Sequence, residues 1–129
     1  MVATSVRARK SKGYMFQRAI ANRIREVFGL QERDVVSAPS SVPGEDIILS
    51  DRAMLKFPFA IEAKRQEKLN IWDSLNQMSD NAEKLSFKTK KEIPGLLIFK
   101  KNYSPVYCAL DFEEFLAMYK RLKELEDKE

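Results

Sequence analysis

The sequence predicts an α/β domain in which a mixed central β-sheet is flanked by helices, in the order helix, strand, strand, strand, helix, strand, strand, helix. Three observations lead there. Apolar residues recur at helical spacing in three segments, residues 13–29, 71–85 and 111–125. Short apolar runs of strand length, around residues 35–36, 46–49, 57–64, 95–99 and 106–110, are separated by turn-forming residues. A chain of 129 residues is long enough for one core and too short for two.

Composition narrows the function classes. The chain is 44% hydrophobic and 33% charged, as expected of a folded domain with a charged surface. Its 23 Lys and Arg against 19 Asp and Glu give a net charge of +4, which favours a polyanionic partner. Cys108 is the only cysteine and there is no histidine, which excludes an internal disulfide, a zinc site and a histidine base. Any metal chemistry must use carboxylates. No run reaches the length of a membrane helix and residues 1–12 lack the apolar core of a signal peptide, so an intracellular protein without a membrane is expected.

Residues 1–12 carry Arg7, Arg9, Lys10 and Lys12 among small polar residues. They are expected to form a flexible basic arm, either a frayed end or a DNA-phosphate contact. The folded domain is expected over residues 13–123. Phe16, Ile20, Ile24, Val27 and Phe28 give the first helix one apolar face, and Gly29 ends it. A short strand around Val35 and Val36 leads into a polar turn over residues 39–44.

Residues 46–49 and 57–64 read as the second and third strands, with 50–56 as their link and Asp51 and Arg52 at a hairpin turn. Arg65 and Lys68 leave the third strand, on a solvated loop or toward DNA. In the second helix Trp72, Leu75, Met78, Ala82 and Leu85 form the stripe, with Trp72 placed in the core or on a dimer surface. Lys88, Lys90 and Lys91 follow near its end, where cations complement the helix dipole or meet phosphates away from a cleavage site.

Residues 95–99 read as a strand buried on both faces, and Cys108 as a buried small hydrophobe in the fifth strand. Asp111 and Glu114 have capping-box spacing at the start of the last helix. Its stripe of Phe112, Phe115, Leu116, Tyr119 and Leu122 must cover the sheet or a second subunit. Residues 124–129 are a charged tail.

The chemistry centres on residues 43–64. Asp46 stands in a Pro-Gly-Glu-Asp turn, sixteen positions before Glu62 (62 − 46), in the run Ile61-Glu62-Ala63-Lys64. Alternation along a strand projects Glu62 and Lys64 from one face and Ile61 and Ala63 from the other. Two charges on a strand built for burial form an ion pair, lie on a solvated face, or serve a site. A divalent cation would use them: Asp46, Glu62 and the Ala63 backbone carbonyl as oxygen ligands, with Lys64 beside a scissile phosphate.

At these residues the chain resembles the PD-(D/E)xK nuclease superfamily, and within it the archaeal and phage Holliday junction resolvases. The resemblance implies a restriction-endonuclease-like core and a homodimer that cuts four-way DNA junctions with Mg²⁺, for which Mn²⁺ can substitute. Its Lys-Gly-x-x-Phe-Glu pattern, which supplies a further acid, reads here Lys12-Gly13-Tyr14-Met15-Phe16-Gln17. Gln17 therefore stands where the family has a carboxylate. The resemblance also places Ser40 and Ser41 near the scissile phosphate and Gln77 near the catalytic lysine. The alternatives are a DNA-binding protein with a weakened or inactive site, and a nuclease for other DNA structures in repair, packaging or restriction.

Overall fold

The structure is a computed structural model that describes residues 6–39 and 44–128. Helix α1 spans Val6–Phe28 and buries Phe16, Ile20, Ala21 and Ile24. It starts seven residues earlier than its apolar periodicity predicts, because residues 6–12 hold good helix formers and no breaker. Arg7, Arg9, Lys10 and Lys12 thus stand on helical turns, not on a flexible arm. Val27, expected on the apolar face, is exposed. Gly29, at φ +63°, ends the helix in the left-handed conformation that glycine adopts at least cost.

Strand β1 is Val35–Ser37 and β2 is Ile47–Leu49. The link expected after β2 is instead helix α2, Asp51–Lys56, so Asp51 and Arg52 lie on helical turns rather than at a hairpin tip. Ser50 caps it, its hydroxyl oxygen accepting from the Ala53 N–H at 3.1 Å while its O–H donates to Asp34 Oδ1 at 2.7 Å. The Gln31 N–H, then the Ser50 hydroxyl, hold the Asp34 carboxyl below its ordinary range.

Strand β3 is Ala60–Arg65 and β4 is Gly95–Lys100, joined in parallel register by helix α3, Ile71–Thr89. Parallel strands need such a crossover. Strand β5, Tyr107–Ala109, pairs antiparallel with β4, and the sheet runs β1-β2-β3-β4-β5. Helix α4 is Phe112–Asp127, so most of the expected charged tail is helical.

The sheet has two unlike faces. Ile47, Ile61, Ala63, Leu96 and Ile98 pack with α1, while Ala60 joins Ala82, Leu85 and Ile93 on the α3 side. Glu62, paired with Leu97 across the ladder, therefore sits between sheet and α3. Gly95 lets α3 come this close, since a Cβ there would lie 2.8 Å from Met78 Cγ and 3.2 Å from the Met78 carbonyl. Gly95→Ala is expected to lower stability by about 1–3 kcal/mol, read as a lower urea midpoint with unchanged slope. A midpoint equal to the parent's would mean that α3 yields freely.

The C-terminal end is covered least. Cys108 is exposed, contrary to expectation, because β5 is an edge strand and no described helix lies over it. Trp72 is 73% exposed and not in the core. Asp111 caps α4 by accepting from the Glu113 and Glu114 N–H groups, yet α4 buries no residue and does not cover the sheet within this chain.

Candidate active site

Three chain segments build the site. Gly44, at φ +119°, turns the chain into Asp46, whose N–H donates to the Ile61 carbonyl at 2.9 Å. The Asp46 carboxylate then accepts from the Ala63 N–H at 2.7 Å. Asp46 is thereby fixed against β3 by main chain and side chain together. One strand residue from Ala63 on each side, Glu62 and Lys64 project toward α3, with Lys64 Nζ 3.8 Å from Glu62 Oε1.

Glu62 is only 2% exposed, and α3 holds it in place. The Asn81 amide donates to Glu62 Oε2 at 2.7 Å and to the Gly44 carbonyl at 3.1 Å, tying both acidic segments to one helix. Burial first, then the charge and hydrogen bond of neighbouring Asp46, push the Glu62 carboxyl up to about 8. Lys64 and Asn81 pull in the opposite direction without cancelling this.

A cleft of about 850 Å³ opens over these groups. It is lined by Asp46, Glu62, Ala63 and Lys64, by both expected glutamines, Gln17 and Gln77, and by Arg9, Lys10, Lys12, Arg65 and Lys68. Arg7 is not among its lining residues. Lys88, Lys90 and Lys91 are at the far end of α3, roughly 20 Å of helix from Gln77. Ser40 and Ser41 lie outside the described residues. Asn81 escaped the sequence analysis, although an amide at three residues after Met78 and four before Leu85, inside the apolar stripe, was a usable signal.

The donors suit a hard divalent cation. The Asp46 carboxylate is close enough to raise the proton affinity of Glu62, and with the Gln17 amide along the same cleft the site offers oxygen and no soft ligand. Among the described residues no three Asp, Glu, His or Cys side chains converge, so water and phosphate oxygens would complete the shell.

This chemistry predicts a pH dependence. In the unfolded chain Glu62 titrates near 4.5 and in the fold near 8, so between those values only the folded state keeps its proton. Its contribution to stability is complete below the lower value and is lost as pH rises toward the upper one. Metal-free denaturant midpoints are expected to fall across that window, and Mn²⁺ uptake at neutral pH to release about one proton. Calorimetry in two buffers of unlike ionisation enthalpy reads the release; buffer-independent heats would contradict it.

A mixed sheet that presents an aspartate from a turn, a Glu-x-Lys pair on the adjoining strand and a basic cleft above them defines a PD-(D/E)xK-type nuclease. A family model described as "Phage putative PDDEXK endonuclease" matches residues 8–128, and the chain belongs to that family. No curated protein and no solved structure matches it. Nucleases of this kind use divalent metal ions, and DNA is the substrate class the family implies. No described helix is long and apolar enough to cross a membrane.

Proposed function

We propose that the protein is a Mg²⁺- or Mn²⁺-dependent DNA endonuclease of the Holliday junction resolvase type, acting as a homodimer inside the infected cell. The observation that carries this reading is the meeting of Asp46, Glu62 and Lys64 at a cleft lined by Arg9, Lys10, Lys12, Arg65 and Lys68. Asp46 and Glu62 would hold the ion, with the Ala63 carbonyl as a further donor. The bound cation supplies charge for the phosphate and a lowered proton affinity for the attacking water. Lys64 holds a non-bridging oxygen of the scissile phosphate and orients that water. Asn81 keeps Glu62 aimed at the ion, while Gln17 and Gln77 border the same space.

Resemblance to the junction resolvases supports the substrate, and α4 supports the dimer. Phe112, Phe115, Leu116, Met118, Tyr119, Leu122 and Leu125 are all exposed on that helix. An uncovered apolar helix face of this kind is what a standard interface of ~800 Å² per partner buries. A second copy is the occupant that a junction with two cut strands requires.

The test is a panel of four-way junction, linear duplex and single-stranded DNA with Mg²⁺, run beside Asp46→Asn. Preferential junction cutting, lost in the variant, is expected. Equal cutting of all three substrates would remove the junction assignment and leave a nuclease. A second reading, a DNA-binding protein that does not cut, is favoured by Gln17 standing in place of an acid. Junction binding without cleavage in Mg²⁺ or Mn²⁺, with activity gained in Gln17→Glu, would establish it.

A further inference from the structure

Arg65 ends β3 on the rim of the cleft, pointing to the α1 side of the sheet where Lys64 points to the α3 side. Its Nη2 donates to Asn102 Oδ1 at 3.0 Å, and the Asn102 N–H in turn donates to Glu67 Oε1 at 2.9 Å. Nη1 of the same guanidinium is shielded from solvent and donates to nothing. Among the described residues no other buried side-chain nitrogen or oxygen lacks a partner. Arg65 is half-buried, and a shielded donor with no partner costs free energy, so its retention points to a ligand.

The surroundings define that ligand. Lys68 and Lys101 line the same cleft, and a planar fork with one arm already anchored is suited to an anionic oxygen. Glu67, the acid at this end, is engaged with the Asn102 main chain. We propose that Arg65 Nη1 takes a non-scissile phosphate of the DNA strand, next to the phosphate held at Lys64. Asn102 is the positioning residue that fixes the guanidinium. This assignment rests on the nuclease reading and adds to it a second phosphate site, on the other side of the strand end.

Single methylphosphonate linkages, which remove one phosphate charge, are placed in turn at each position flanking the cut. In the parent protein one non-scissile position is expected to raise KM by about ten- to hundredfold with kcat nearly unchanged. In Arg65→Gln the KM is raised by a similar factor on ordinary DNA, and that same linkage has no further effect. Arg65→Lys restores part of the loss, and Asn102→Ala has no effect in the Arg65→Gln background.

Fluorescence anisotropy with the same modified DNAs, without metal, keeps the two readings apart. Absent cleavage with position-dependent binding that Arg65→Gln abolishes would remove the nuclease reading and retain the phosphate site. Equal sensitivity of parent and Arg65→Gln at every linkage, or no DNA binding at all, would overturn it. Overturning would also follow if Arg65→Gln unfolded the chain while Arg65→Lys, folded, bound every linkage alike, since Nη1 would then serve the fold through a buried water.

Discussion

Glu62→Gln is expected to abolish DNA cleavage, by at least ~10³-fold, while making the metal-free protein more stable at pH 8. Both effects come from one carboxylate. It is 2% exposed, faces Asp46, and is pushed up to about 8 by burial and by that neighbour. An amide of the same shape removes the buried charge and the repulsion, and its oxygen can still accept from Asn81. The gain is expected to be roughly 4 kcal/mol at pH 8 and to vanish near pH 4, where the parent side chain is protonated in the folded and the unfolded chain alike. Thermal melts in chelator at the two pH values read the stability, and a junction-cleavage assay reads the rate. Loss of stability at pH 8, or retained cutting, would show that Glu62 is an ordinary structural acid.

Lys64→Ala is expected to lower the cleavage rate by about 10²–10⁴-fold with DNA binding largely kept. The lysine also acts on its neighbour. From 3.8 Å its charge is one of two influences that draw the Glu62 carboxyl downward, so removing it sends that carboxyl higher. The alkaline shift should appear as a rate that climbs at higher pH than in the parent, with weaker Mn²⁺ binding at neutral pH. Lys64→Arg keeps the charge without the compact ammonium, and should restore the pH profile more than the rate. If Lys64→Ala cuts within threefold of the parent, the lysine has no part in the chemistry.

The alternation of Ile61, Glu62, Ala63 and Lys64 was legible because a strand's two faces follow from sequence order alone, and the fold distributes them that way. The packing of Ile61 and Ala63 with α1 leaves Glu62 and Lys64 for the cleft. What failed was information the chain does not carry locally. Ser50 looks like turn chemistry until one sees that its oxygen caps α2. Cys108 has an apolar pattern, but a pattern identifies a face to be covered and not whether anything covers it. Of the two readings of Trp72 and of the α4 stripe, only the one within this chain is excluded. The Ala63 N–H, which holds Asp46, is a main-chain contact that no side-chain pattern announces. Asn81 went unnoticed because a stripe is searched for what is apolar.

The double attachment of Asp46 to β3 has a bearing on how the protein fails when heated. Its N–H and its carboxylate both end on the central strand, and Asn81 links the same turn to α3. The proposed catalytic geometry is therefore held by the central strand rather than by a loop that opens early. Inactivation and loss of helical signal should share one midpoint, with no temperature range in which an intact fold carries a disassembled centre.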